Sequence, residues 1–108
     1  MSVFSRIKKA VEPTGLPCSV NTSTSSEATY LVMNVNVIPS FFADDDPSYV
    51  TNLCQLHLFC PVTQNTVQLR KEIKALLNSN GFTYPVEEDA SDDDKQHIVF
   101  EFQEAEVV

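Results

Sequence analysis

From Leu53 to Cys60 apolar and polar positions alternate: Cys54, Leu56, Leu58 and Cys60 fall on one side, Leu53, Gln55, His57 and Phe59 on the other. A period of two belongs to a β-strand. The first side is apolar throughout, so Val50–Cys60 is expected at the centre of a sheet with that side buried. Pro61 ends it, because proline donates nothing to a ladder. The period then changes. Thr66, Leu69, Ile73, Leu76 and Leu77 recur at helical spacing and predict a helix over Thr63–Ser79, capped by Thr63 and stopped at Asn80–Gly81. Arg70, Lys71, Glu72 and Lys74 fall toward its solvent side. A strand and a helix adjacent in sequence, each with one apolar side, make the halves of a two-layer core.

The remaining segments widen or cover that sheet. Residues 2–12 read as a short amphipathic helix, with Val3, Phe4, Ile7, Ala10 and Val11 on one side, Ser2 as cap, and Pro13 with Gly15 as terminator. Residues 14–27 read as a Ser/Thr-rich loop with a weak edge strand near Pro17–Val20. Residues 28–38 alternate again, Leu31, Met33, Val35 and Val37 against Tyr30, Val32, Asn34 and Asn36. Around Ile38–Phe42 the strand is expected to bend, then turn through Asp44–Asp46 and Pro47 into an antiparallel return. Phe82–Val86, weakened by Pro85, is expected as an edge strand. The acidic run 87–94 is expected as a hairpin loop, His97–Phe102 as the last strand, and 103–108 as a loose tail. The fold class that results is α+β in a single domain: an antiparallel sheet of four to five strands with an N-terminal and a central helix.

Composition narrows the function classes. One hundred and eight residues suit one domain, and no run approaches the roughly 18 apolar residues of a membrane span. The N-terminus has a basic cluster without the apolar core of a signal peptide, so a reducing compartment is expected. The cysteines agree with that: Cys54 and Cys60 lie about 20 Å apart along one strand, and with Cys18 they read as free thiols. Charge is uneven. Residues 1–11 hold Arg6, Lys8 and Lys9 and no acid, whereas 82–108 hold nine acids and only Lys95. A net charge of -8 disfavours a grip on nucleic acid, which needs a basic footprint.

Catalytic chemistry finds little material. The run DASDDD supplies oxygen ligands but lacks the turn glycine and closing glutamate of a calcium loop. His57 has no adjacent nucleophile motif, and His97 is the only other histidine. With 2 glycines in all, there is no phosphate-cradling loop. Neither cofactor nor metal is expected, and enzyme is the weak class. The candidate interface residues are Phe41 and Phe42 beside the charged turn, His57 and Phe59 on the mixed side of the central strand, and the acids Asp44, Asp45, Asp46, Glu87, Glu88, Asp89, Asp92, Asp93 and Asp94.

Taken together, the short N-terminal helix, the turn Ala43–Pro47 (ADDDP), the strand ending Leu58–Pro61 (LFCP), the helix segment Leu69–Leu77 (LRKEIKALL) and the following Asn80-Gly81-Phe82 resemble the small tail-terminator or tail-completion proteins of long-tailed bacteriophages. The resemblance spans nearly the whole chain, and its motifs are those of fold, not of catalysis. It implies a subunit that assembles into a ring, expected to be a hexamer, located in the virion at the head–tail junction. Such a ring caps the tail tube, contacts the tube protein and the head connector protein, and lets DNA pass without specific binding. Six copies of an acidic loop lining that channel would repel duplex phosphates. The alternatives are a head-side connector or neck protein, and a small intracellular protein-binding domain unrelated to phage.

Overall fold

The computed structural model describes residues 2–22, 26–39, 42–43, 46–47 and 49–107, and of residues 39, 42–43, 46–47, 49 and 106–107 the backbone course alone. In chain order the elements are α1 (Val3–Val11), a 3-10 turn (Glu12–Thr14), β1 (Cys18–Val20), β2 (Tyr30–Pro39), β3 (Phe42–Ala43), β4 (Asp46–Pro47), β5 (Tyr49–Cys60), α2 (Val67–Ser79), β6 (Val86–Asp89) and β7 (Gln96–Val107). Five strands form one sheet in the order β1-β2-β5-β7-β6, with β5 in the middle, and β3 and β4 pair as a separate two-residue hairpin. The architecture is α+β. The sheet is mixed, however, and not purely antiparallel: β1 runs parallel to β2, while every other pair is antiparallel.

The register explains the core. Leu31, Leu58 and Ile98 lie side by side across β2, β5 and β7, as do Met33, Leu56 and Phe100, and Val35, Cys54 and Phe102. These rows project onto one face, where they meet Val3, Ile7, Ala10 and Val11 of α1 and Ile73 and Leu77 of α2. The Ser2 hydroxyl accepts from the Ser5 N–H at 3.2 Å and caps α1. Gly15, at φ 74°, takes the left-handed turn that carries the chain out of the 3-10 turn toward β1.

Three expected boundaries move, each for a physical reason. α2 begins at Val67, so Thr63 is not its cap; Thr66 occupies that position, but its hydroxyl donates to Gln96 Oε1 at 2.6 Å, while Asn65 Oδ1 accepts from the Val67 N–H. Phe82–Val86 is not a strand. Phe82 turns into the core edge-on to Phe102, and pairing starts only past Pro85, so β6 takes up Val86–Asp89, the first part of the acidic run. The 103–108 segment is no loose tail, because β5 extends back to Tyr49 and β7 pairs with it as far as Val107. The bend expected at Ile38–Phe42 falls partly outside the described residues.

Among the described residues two polar side chains are fully buried, Thr66 and Asn52, and both are hydrogen-bonded. Thr66 bonds to Gln96 as above. Asn52 donates to Glu104 Oε1 at 3.1 Å, and the same carboxylate oxygen takes the Arg6 guanidinium, tying α1 to β5 and β7. Burial pushes all three thiols up: Cys54, with the Glu104 charge adding to desolvation, to about 12, and Cys18 and Cys60 in the same direction. These cysteines fill space as thiols and are poor nucleophiles at neutral pH.

Ile73→Ala and Leu77→Ala each empty a fully buried site and are expected to cost about 2–5 kcal/mol in urea unfolding. Leu69→Ala, at a half-buried site, should cost less than either; equal losses at all three would contradict this packing.

Candidate functional site: the helix-free face of the sheet

Both helices pack on one face, so the other carries no helix among the described residues. The residues that alternate outward in β2, β5 and β7 gather there by register: Tyr30, Phe59 and His97 in one row, Val32, His57 and Val99 in the next, Asn34, Gln55 and Glu101 in the third, Asn36, Leu53 and Gln103 in the fourth. Two shallow depressions share Asn34. One, of about 620 Å³, is lined by Tyr30, Val32, His57, Phe59 and His97 with Asn21 and Thr22 at its margin. The other, of about 350 Å³, takes in Leu53, Gln55, Tyr84, Val86 and Glu101.

The first depression holds a hydrogen-bonded relay. Asn34 Nδ2 donates to Gln55 Oε1 at 3.2 Å, which turns Asn34 Oδ1 toward His57 Nε2 at 2.9 Å. That oxygen only accepts, so the network assigns the His57 proton to Nε2. His57 Nδ1 is then an acceptor, and His97 Nε2 donates to it across 2.8 Å. The rings also stack: Phe59 lies 4.2 Å from His97 and 5.2 Å from Tyr30, centroid to centroid. Lys95 Nζ reaches the Tyr30 hydroxyl at 3.0 Å and lies 5.7 Å from the Phe59 centroid, a cation–π distance.

Desolvation holds both imidazoles below their ordinary value. His57 is lowered further by the facing His97, whereas Asp92 and Asp89 partly offset the effect at His97. The relay accepts one proton, at the free Nδ1 of His97; a second, on His57 Nδ1, would set two N–H groups against each other at 2.8 Å. A catalytic site needs a nucleophile or a carboxylate in line with such a pair. Here the partners of the relay are two amides, and its neighbours are aromatic rings. The face is a mixed one of stacked rings, amides and apolar side chains, with Glu88 and Glu101 among its outward residues.

The sequence-derived candidates separate accordingly. His57 and Phe59 stand at the centre of this face. Phe41, Asp44 and Asp45 lie outside the described residues, and of Phe42 and Asp46 only the backbone is described, in the β3–β4 hairpin. Glu87 faces the helices, where Arg70 and Lys74 approach it at 3.4 and 3.8 Å. Asp89 and Asp92 order the β6–β7 loop, Asp89 by accepting from the Ser91 N–H and Asp92 from the Asp94 and Lys95 N–H groups. Glu88, Asp93 and Asp94 are exposed. Among the described residues no three His, Cys, Asp or Glu side chains are placed to hold a metal ion. Tyr30, Asn34, Lys95 and His97 went unnoticed as site residues. Strand parity put Tyr30 and Asn34 on the outward side, but nothing local to the sequence placed them beside His57.

No family model matches the chain, and no curated protein does. Among solved structures, one chain known only by a sequence designation superposes with a TM-score of 0.62, covering 98% of this chain and 87% of its own at 12% identity. At that identity the likeness is one of fold.

Because both histidines are lowered in the folded state, the unfolded chain binds more protons below about pH 6.5, and stability must fall as the pH drops through that region. The melting temperature is expected to decline from pH 7.5 to 5.5. In His57→Gln/His97→Gln the decline should be distinctly shallower; identical slopes would rule the relay out as its source.

Proposed function

We propose that this chain is a structural, ring-forming subunit of the tail-terminator type, which closes the end of a phage tail tube and joins it to the head connector while leaving a passage for DNA. The observation that carries the reading is the uncovered sheet face: a mixed surface of stacked rings and apolar side chains, with Leu53, Tyr84 and Val86 exposed at 37%, 59% and 70%. A monomer gains nothing by leaving such a face bare, and a neighbouring subunit or the tube end would cover it.

The shape of the chain supports the same reading. The extents are 54 × 24 × 22 Å and the radius of gyration is 14.9 Å, against about 13 Å for a compact domain of this length. β1 pairs with β2 only along Leu31–Met33, so the edge of β2 from Asn34 to Ile38 is unpaired among the described residues and has no charge to guard it. Native proteins protect such edges unless a partner uses them. The negative balance of the chain suits a passage that DNA crosses without being held.

Two measurements test this function. Tails assembled without the protein should carry tubes of uncontrolled, excess length; tubes of normal length would reject the terminator role. Leu53→Arg/Val86→Arg should abolish co-sedimentation with tail tubes while changing stability by no more than about 0.5 kcal/mol, as expected of exposed positions. Retained tube binding would remove this face from the contact.

A further inference from the structure

At the centre of the helix-free face two imidazoles share one hydrogen. His57 Nδ1 and His97 Nε2 stand 2.8 Å apart, so only one of these two nitrogens can carry a proton. Asn34 Oδ1 holds the other His57 nitrogen as a donor, which leaves His97 Nδ1 as the place for a further proton. The pair is half-buried and borders the depression of about 620 Å³, which no charged residue lines. β2 and β5 turn only uncharged side chains toward it, Tyr30 and Asn34 from one, Gln55 and Phe59 from the other. On β7 Glu101 stands two rows beyond His97, and on β6 Glu88 lies opposite Val99. Asp89 and Asp92 favour a proton on His97, but both accept from N–H groups of their own loop, and desolvation outweighs them. Lys95 Nζ already lies 5.3 Å from the Tyr30 centroid and 5.7 Å from that of Phe59, on which His97 stacks at 4.2 Å. A protonated His97 therefore adds a second cation to a ring stack that already holds one.

We infer that association on this face is proton-linked: a partner that covers it meets the His57–His97 pair in its neutral form, and acid loosens the contact by placing a charge on His97. The inference rests on the reading of this face as the tube contact and supplies its regulation. Taking water from an imidazolium costs more than taking it from a neutral imidazole unless an anion pairs with it. The covered face therefore holds fewer protons than the free one, and by linkage a falling pH favours the free chain. Because the pair takes up one proton, the affinity falls by at most about tenfold per pH unit, and only below about pH 6.5. The same argument gives the partner its character. Its surface opposite His97 carries no carboxylate, since an acid there would pair with the imidazolium and reverse the sign.

The probe is tail tubes assembled without the protein, with which the full chain is co-sedimented at about pH 7.5, 6.5 and 5.0. Affinity should be level over the first two and at least about threefold weaker at the last. His57→Gln/His97→Gln, whatever its affinity at the highest pH, should lose that fall, which separates titration of the pair from titration of the tube. Circular dichroism at each pH checks that the chain is folded. If the double variant does not fold, His97→Gln alone keeps an N–H donor for His57 Nδ1 and serves the same comparison. Nitrogen-resolved NMR of the imidazoles in the free chain should show both rings protonated on Nε2 near neutrality, with one further proton taken up at His97 Nδ1 in acid. A fall that persists in the variants, an affinity that rises in acid, or uptake of two protons overturns the inference and leaves the tube contact standing. No binding at any pH rejects the tube reading of this face and the inference together.

Discussion

The common register of β2, β5 and β7 is the constraint on which the rest of the molecule depends. It stacks Leu31 with Leu58 and Ile98, and Met33 with Leu56 and Phe100, into a continuous apolar face. A slip of one residue in any of the three strands would turn that strand's whole apolar set away from the helices. The Arg6–Glu104–Asn52 cluster reinforces the register at one end, since Asn52 and Glu104 are direct cross-strand partners and Arg6 reaches them from α1. Gln96 plays a comparable part at the other end, receiving the Thr66 hydroxyl and donating to the Gln64 carbonyl. Polar contacts at both ends hold an apolar middle.

One-sided cover follows from how little helix the chain contains. α1 has 9 residues and α2 has 13, enough to roof one face of a five-stranded sheet. The same register that fills the core therefore builds a second, ordered surface opposite it. Desolvation keeps the two histidines of this surface below their ordinary pKa, and Tyr30, Phe59 and His97 stack beside them.

Much of the fold was legible in the sequence because alternation and helical spacing are local. Leu53–Cys60 announced both the central strand and its buried side, and the Ile73–Leu77 stripe announced the helix that covers it. Misplaced boundaries had competing local causes: Thr63 is as good a capping residue as any, but tertiary demand from Gln96 drew on Thr66, and Phe82 looked like the start of a strand until the core claimed its ring. The tail at 103–108 has a strand's alternation only in part, and it became a strand because β5 was long enough to pair with it.

The site was far less legible. Parity alone put His57 and Phe59 on a mixed face, and Tyr30 and Asn34 on the outward side of their own strand. That His97 would face His57 at 2.8 Å, that Asn34 would orient the relay, and that Glu87 would turn away from its acidic neighbours toward Arg70 depended on which residue of β7 or β6 stands opposite which residue of β5 or β7. So did the parallel placement of β1. Sequence by itself determined the elements and their apolar sides, since each is written within a few consecutive residues. Only the tertiary structure decided the register between strands, and with it every pair of side chains that meets across the sheet, because those distances are set by pairing between segments remote in the chain, Tyr49 with Val107 at the extreme, and leave no trace in local periodicity.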